Sequence, residues 1–364
     1  MTTWNGGQLA DLELRSARLL LRPWQAADAA EVTGIMRDRR MAEFLPLPQP
    51  YTAADAAEFV RSAASDTRLE LAIVRDARLV GAIGMSLPDR HTGAEIGYWV
   101  RSADWGNGYA TEAVRALNRF AFERGIQRTQ IQADVGNLAS VRVALRAGFS
   151  FEGIARLGGR SQRGPADRAM FARLATDSDG QVPPSWPEVT ELTDGVVLLR
   201  KPRPEDWPIL YAEHANPESQ RWGFGDEYTE QAAIQRAEVA GLNWLVGRSA
   251  DLVICDVATG AGAGMMNLRW GPPEVVGIGY GILPEFRGRR FTTRALRLLA
   301  SWAFGQTSIV RLELGCKADN IASARSAELA GFVRDGRFAT RLRNPDGGYS
   351  DEISFGLVRG QYRS

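Results

Sequence analysis

The chain repeats itself once over almost its whole length, and this limits the folds open to it. LLLRPWQAADA from Leu19 matches VLLRKPRPEDW from Val197, placing Arg22 under Arg200 and Asp28 under Asp206. GAIGMSL from Gly81 matches GAGMMNL from Gly262, and IGYWV from Ile96 matches IGYGI from Ile278. Ala121-Phe122 matches Ala303-Phe304, and NLASVRVALRAGF from Asn137 matches NIASARSAELAGF from Asn320. The blocks keep their order, with an offset that runs from 178 to 183 residues. That period is far longer than any solenoid unit, so the repeat is a duplicated whole domain. A chain of 364 residues suits two domains of ordinary size, each long enough to bury a core.

Residues 176–188, TDSDGQVPPSWPE, are polar and Pro-rich and read as a linker. The expected organisation is therefore domain one over 1–175, linker 176–188 and domain two over 189–364. Within domain one, 18–22, 69–75, 79–87, 95–100 and 129–135 read as strands. Residues 111–124 carry an apolar helical stripe at Ala113, Val114, Leu117, Phe120 and Ala121. Residues 140–147 read as a second helix closed by Gly148. Asp28 and Asp206 cap or open helical stretches. The order predicts an α/β fold with a mixed sheet, built twice.

Composition removes several function classes. A formal net charge of +1 gives no whole-protein field for nucleic acid or a membrane surface. Cys255 and Cys316, the only cysteines, supply neither a disulfide framework nor a metal site, and no metal is expected. No apolar run approaches a membrane span and the first residues lack an apolar signal region, so the expectation is a cytoplasmic protein.

The chemistry concentrates at the passage from one strand into the next helix. Copy one reads GYWVRSADWGNGYATEAV and copy two GYGILPEFRGRRFTTRAL. A helix N-terminus presents unpaired N–H groups with partial positive charge, and a glycine entry lets a phosphate approach them closely. The pattern is neither GxxxxGK[ST] nor a GxGxxG with a following acidic partner. A capped helix after a turn is the ordinary explanation of one such loop. Here it stands at the same place in both copies, each followed by Asn-x-x-Ser, seven residues and Gly-Phe.

Both halves resemble the GNAT superfamily of acyl-CoA-dependent N-acetyltransferases, with the ribosomal-protein N-terminal acetyltransferases as the branch most similar. The carrying stretches are EIGYWV from Glu95, WGNGYATEA from Trp105 and NLASVRVALRAGF, with IGYGIL, RGRRFTTRAL and NIASARSAELAGF in copy two. The resemblance implies two parallel strands splayed apart, with acetyl-CoA or another acyl-CoA entering the gap as co-substrate. It implies that the backbone of Trp99 and Val100 meets the pantetheine arm. The N–H groups of Gly106, Asn107, Gly108, Tyr109, Ala110 and Thr111 would hold the pyrophosphate. Asn137 would contact the pantetheine arm and Ser140 would lie near the thioester sulfur. In copy two the same roles fall to Ile282, to Gly288, Arg289, Arg290, Phe291, Thr292 and Thr293, and to Asn320 and Ser323.

The implied reaction is attack of an amine on the thioester carbonyl. The ammonium form, pKa ~10, must first lose a proton. Glu95 is the expected base, acting through water. Copy two has Gly277 at that place and so lacks the carboxylate. Many members of the family carry a Tyr seven residues after the Asn to protonate the leaving thiolate. Ala144 and Ala327 stand there in this sequence, which leaves Ser140 and Ser323 as the hydroxyls to consider.

Ordinary roles compete for several of these residues. Ser140 could cap its helix. Tyr98 and Tyr280 could be core or substrate wall. His91 and His214 are isolated, and Trp4, Trp24, Trp186 and Trp207 read as packing residues. Arg290, facing Gly108, could pair with a phosphate or fill the cleft. With Gly277, it makes copy one the expected catalytic half and copy two a degenerate or regulatory one. The expected acceptor is a small-molecule amine or a peptide or protein N-terminus. The tandem pair is expected to act as a monomer. The competing readings are a non-catalytic acyl-CoA-binding scaffold, or two working domains with different acceptors.

Overall fold

The structure is a computed structural model. It describes residues 12–43, 45, 47–65, 67–89, 93–161, 164–178, 186–187, 189–222, 228–271 and 274–362. Trp4, His91 and most of the expected linker lie outside the described residues. The chain divides into two compact units, Met1–Pro183 and Pro184–Ser364. Trp186, within the stretch expected to be linker, is instead core of the second unit, 4.1 Å from the Trp270 ring and stacked on it.

The first unit begins with β1 (Leu14–Arg15), β2 (Leu20–Arg22), α1 (Asp28–Met36), α2 (Arg39–Ala42) and α3 (Ala53–Arg61). Then come β3 (Ala64–Ser65), β4 (Arg68–Arg75), β5 (Arg78–Asp89) and β6 (Gly93–Val100). The unit closes with α4 (Tyr109–Glu123), β7 (Arg128–Asp134), α5 (Leu138–Arg146), β8 (Ser150–Ser161) and β9 (Gly164–Leu174). The sheet order is β1-β2-β4-β5-β6-β7-β9-β8, with β3 beside β4. All neighbours are antiparallel except β6 and β7.

The second unit repeats the plan with β10 (Glu191–Thr193), β11 (Val197–Arg200), α6 (Trp207–Ala215), α7 (Pro217–Trp222) and α8 (Glu230–Leu245). β12 (Ala250–Asp256), β13 (Gly262–Trp270), β14 (Val275–Ile282) and α9 (Phe291–Gln306) follow. β15 (Arg311–Lys317), α10 (Ile321–Leu329), β16 (Val333–Arg343) and β17 (Tyr349–Val358) complete it, in the order β10-β11-β12-β13-β14-β15-β17-β16. Both units are mixed α/β layers.

Local chemistry explains the elements. Thr52 and Thr229 cap α3 and α8 by accepting from N–H groups of the first turn. The apolar stripe of α4 is buried as its period requires. Asp28 and Asp206 do more than open helices. Asp28 takes both guanidinium nitrogens of Arg22 at 2.8 and 2.9 Å, and Asp206 takes those of Arg200 at 2.6 and 2.8 Å. Each pair fastens the second strand of its unit to the chain leading into the next helix.

One pairing in the repeat is corrected by the sheet register. Gly81 faces Val100, and Gly264 faces Ile282, so Gly264 and not Gly262 is the counterpart of Gly81. A Cβ on Gly81 would stand 2.3 Å from the Trp99 carbonyl oxygen, and one on Gly264 2.2 Å from that of Gly281. Both sites therefore need glycine for space. Both hairpins carry the same bulge just before these positions, and in that shared register the two G-A dipeptides fall two residues apart, so their match is coincidental.

Candidate active site

The parallel strands β6 and β7 pair only at Ala94–Thr129 and Glu95–Gln130, then part. β14 and β15 pair from Val275–Arg311 to Ile278–Leu314 and then part in the same way. Each unit therefore opens a gap toward the C-terminal end of its central strand, the end from which the glycine loop leaves.

Alternation divides the gap strand between two faces. Trp99 packs with Trp24, Phe59 and the residues of α1 and α3, so Glu95, Gly97 and Trp99 face those helices. Tyr98 points the other way and reaches Ser140 on α5. The backbone alternates as well. Arg101 donates to the Val80 carbonyl, so the ladder to β5 uses the odd-numbered residues of β6. The N–H and C=O of Trp99 are thus turned to β5, and those of Tyr98 and Val100 are turned to the gap. Trp105 Nε1 donates to the Val100 carbonyl at 2.7 Å. Of the atoms expected to serve a ligand here, the Val100 N–H is the one aimed into the gap.

The second unit makes the same closure with a different side chain. Arg287 Nε donates to the Ile282 carbonyl at 3.2 Å. Arg287 also binds Glu218 and, at 3.0 Å, the Ser219 hydroxyl. Trp105 and Arg287 share a job that their residue types conceal: each ties the end of the gap strand to the start of the loop.

The loop itself is built for close approach. Among the described residues, no acceptor is found for the N–H groups of Gly106, Asn107, Gly108, Tyr109, Ala110 and Thr111, or for those of Gly288 to Thr293. Added Cβ atoms at Gly106 and Gly288 would meet nothing within 4 Å, so the space before these donors is open. Gly108 precedes α4 at φ 78°, and Arg290 precedes α9 at φ 60°. Both are left-handed, a conformation that disfavours a side chain. Arg290 holds it nonetheless, is exposed, and its side chain has no hydrogen bond or ion pair among the described residues. A Cβ at Gly108 would meet only Arg18 Nη2, at 3.6 Å. The arginine therefore keeps the turn of the loop at a conformational cost.

The first turn behind each loop is neutralised with opposite polarity. In α4, Glu112 accepts from Arg18 Nε and backbone N–H at 2.7 and 2.8 Å, and from the Ser16 hydroxyl at 2.7 Å. Burial pushes the Glu112 carboxyl up, but these donors outweigh it and hold it below the usual range. In α9 the same position is Arg294, paired with Asp194 at 2.6 Å.

Asn137 and Asn320 are the caps of α5 and α10, accepting from the N–H of Ser140 at 3.0 Å and of Ser323 at 3.1 Å. Neither serine is the cap that its position allowed. The Tyr98 hydroxyl is 2.7 Å from the Ser140 hydroxyl, and the Tyr280 hydroxyl is 2.9 Å from that of Ser323. Burial raises both phenols, Tyr280 to about 12 and Tyr98 further, so both stay protonated. Ala144 and Ala327, where the tyrosine is absent, are fully buried. The Tyr–Ser pair places two hydroxyls at each gap instead. Its members recur in both copies, but only the fold brings them together.

Glu95 faces the α1–α3 side and accepts from Gln132 at 2.9 Å and Gln130 at 3.2 Å. On the same face Glu70 of β4 lies against Gly84, and burial raises its carboxyl despite Arg68. The sequence did not single out Glu70. Trp207 packs against the cluster of Leu210, Ala233 and Met265, and His214 lies 4.1 Å from the Tyr228 ring. Among the described residues there is no helix long and apolar enough to cross a membrane, and no group of three acidic, His or Cys residues able to hold a metal.

Comparison with known proteins bears on this geometry. Residues 18–150 and 197–333 each match the family described as Acetyltransferase (GNAT) domain. YdaF of Bacillus subtilis, provisionally named a ribosomal N-acetyltransferase, is 34% identical over 147 residues, 38% of this chain and 80% of YdaF. YjcK of the same organism, named a probable N-acetyltransferase, is 28% identical over 179 residues, 46% of this chain and 99% of YjcK. A solved structure of Mycobacterium smegmatis RimJ in complex with CoA-disulfide is similar at 22% identity, covering 47% of this chain and 89% of that one, with a TM-score of 0.42.

Proposed function

The chain belongs to the GNAT acetyltransferase family, and from that premise we propose that its first unit moves an acetyl group from acetyl-CoA to a primary amine. One observation carries the reading: the parting of β6 from β7 meets a loop of six N–H groups that have no partner among the described residues. A diphosphate fits that loop, because the donors converge at a helix start and glycine leaves the approach open.

The amine enters from the α1–α3 face, where Trp24, Phe59 and Trp99 form an aromatic wall. Glu95, on the same face, takes its proton through water. The nitrogen attacks the thioester carbonyl, and the Val100 N–H, directed at the gap, steadies the oxyanion. The thiolate leaves and is protonated by Ser140, whose hydroxyl is held by Tyr98. Asn137 spends its side-chain oxygen on the α5 cap, so its amide nitrogen is the atom offered to the pantetheine arm.

The acceptor is a small-molecule amine or a peptide or protein N-terminus. The name of YdaF supports the second. The aromatic wall suits an amine with an apolar neighbour. The protein acts as a monomer. The test is to mix the purified chain with acetyl-CoA and a panel of amines and N-terminal peptides while following free thiol. Thiol release that depends on the amine is expected, and its absence across the panel would overturn the reading.

A further inference from the structure

The second unit has a carboxylate that the repeat does not predict. On β14, Gly277, Gly279 and Gly281 stand where β6 has Glu95, Gly97 and Trp99. They share the face of Met265, which packs with Leu210 of α6 and Ala233 of α8. This is the face from which the amine enters in the first unit. Three glycines in a row strip it of side chains, and one residue from α6 fills the far end. A Cβ on Gly281 would lie 1.7 Å from Glu213 Oε1 and 2.2 Å from its Cδ. Glu213 thus occupies the space in which the Trp99 side chain begins in the first unit.

Its surroundings leave the carboxylate uncommitted. Arg236 of α8 faces it, but two of its three guanidinium nitrogens, Nη2 and Nε, are spent on Asp251 of β12, at 2.8 and 2.9 Å. Asp251 also takes the Asn267 amide at 3.2 Å. Arg287, from the loop, is occupied by Glu218, Ser219 and the Ile282 carbonyl. His214 on its own helix is 3.9 Å away, and burial first and Arg236 second hold its imidazole below the usual value, so it is neutral at pH 7. No hydrogen bond reaches the Glu213 carboxylate among the described residues. Its side chain is 18% exposed and remains reachable. Burial pushes its carboxyl up to about 7, against Arg236 and Arg287, with Asp251 adding to the rise.

We propose that Glu213 is the proton acceptor of a second amine-acetylating site in the second unit, taking there the part that Glu95 takes in the first. The proposal rests on the acetyltransferase reading above. Tyr280, one residue along from Gly281, points to the opposite face of the strand and meets Ser323 of α10 there, so base and leaving-group donor flank the gap. The ammonium of the acceptor gives one proton to the Glu213 carboxylate. The free amine attacks the thioester carbonyl, the C–N bond forms and the C–S bond breaks. One of the two protons on the new nitrogen centre passes to the thiolate by way of the Ser323 hydroxyl, and the other stays as the amide N–H. The products are the amide, the free thiol and one proton, which Glu213 returns to solvent. Positions 95 and 99 of a strand are four residues apart, roughly 13 Å. The base thus moves from deep in the strand to its open end, and the two units serve different amines.

The experiment uses the full chain carrying Glu95→Gln, with and without Glu213→Gln, assayed for thiol release from acetyl-CoA with a panel of polar and apolar primary amines. For at least one amine, adding Glu213→Gln is expected to lower kcat about 100-fold or more and to remove a pH limb near 7. Acetyl-CoA affinity by calorimetry should stay within twofold, which separates loss of a base from loss of the fold. Restoring a carboxylate with Glu213→Asp should recover part of the rate. Unchanged kcat and pH profile for every amine overturns the assignment alone. No amine-dependent thiol release by the unmutated chain overturns the acetyltransferase reading and this assignment with it.

Discussion

The Tyr98 hydroxyl lies 2.7 Å from the hydroxyl of Ser140, joining the strand at the gap to the helix behind it, and Tyr280 repeats the contact with Ser323 at 2.9 Å. If Ser140 protonates the thiolate, Ser140→Ala lowers kcat of the first unit about 100-fold with little change in KM for acetyl-CoA. Tyr98→Phe removes only the orienting bond and costs about tenfold, worth one hydrogen bond. Steady-state kinetics decide it: a Ser140→Ala enzyme with full kcat removes the serine from the mechanism.

Gly108 and Arg290 occupy one backbone state with unequal comfort. Arg290→Gly should stabilise the second unit by about 1 kcal/mol, and Gly108→Arg should destabilise the first by a similar amount. Urea midpoints read both. Acetyl-CoA affinity of Gly108→Arg tests the loop separately: little change is expected, and a fall of more than tenfold would mean that the side chain obstructs the phosphate.

Trp105 and Arg287 tie equivalent carbonyls. Trp105→Ala frees the Val100 carbonyl and is expected to weaken acetyl-CoA binding in the first unit about fivefold to tenfold. Trp105→Arg, which supplies the donor used in the other copy, should retain most of the affinity. Equal losses in the two variants, measured by calorimetry, would show that the ring itself matters and not its Nε1 donor.

Glu213 also predicts how stability varies with pH. Its folded-state value is raised from the ordinary 4.5 to about 7. A raised value stabilises the fold below about pH 4.5, and that contribution is lost as pH rises through about 7. Relative to Glu213→Gln, the wild-type second unit should therefore lose roughly 2 kcal/mol across this window. Denaturant titrations at pH 5 and pH 8 give the comparison. A difference independent of pH would place the carboxylate in water.

The Arg22–Asp28 pair is largely buried, with side chains 16% and 9% exposed. Burial alone pushes the Asp28 carboxyl up, but the Arg22 and Gln25 donors bring it below the usual range. Asp28→Ala leaves a guanidinium unpaired in that setting and should cost about 3 kcal/mol in the first unit. A loss under 1 kcal/mol by urea unfolding would show that water reaches the arginine.

The parts of the site that were legible in the sequence are those built from local chain and written twice. A glycine turn entering a helix is set by local chain, so the helix starts at 106–111 and 288–293 could be read directly. The Tyr98–Ser140 contact could not, because 42 residues separate the partners and only the packing of sheet on helix joins them. Both residues were visible as repeats without being visible as a pair. Glu213 was hidden for a different reason. It sits between the Arg200–Asp206 and Gly264 matches, where the copies have diverged, and it acts by filling the space of a missing side chain on another element. Gly81 was paired with the wrong glycine because a G-A dipeptide occurs in both copies two residues out of register, and only the strand pairing reveals the register. Ser140 was read as a plausible cap, but the cap is Asn137, whose side-chain oxygen accepts from the Ser140 N–H.

The opposed charges behind the two loops limit how parts of this chain can be exchanged. Glu112 faces Arg18, and Arg294 faces Asp194. A chimera that carries α9 into the first unit without the segment around Asp194 sets Arg294 against Arg18 and puts two cations beside the phosphate loop. The reverse chimera sets Glu112 against Asp194, two anions where an anionic substrate must enter. Crossover points that keep each strand entry with its own helix avoid both clashes, so the smallest transplantable module of either unit runs from its first strand through the helix that follows its glycine loop.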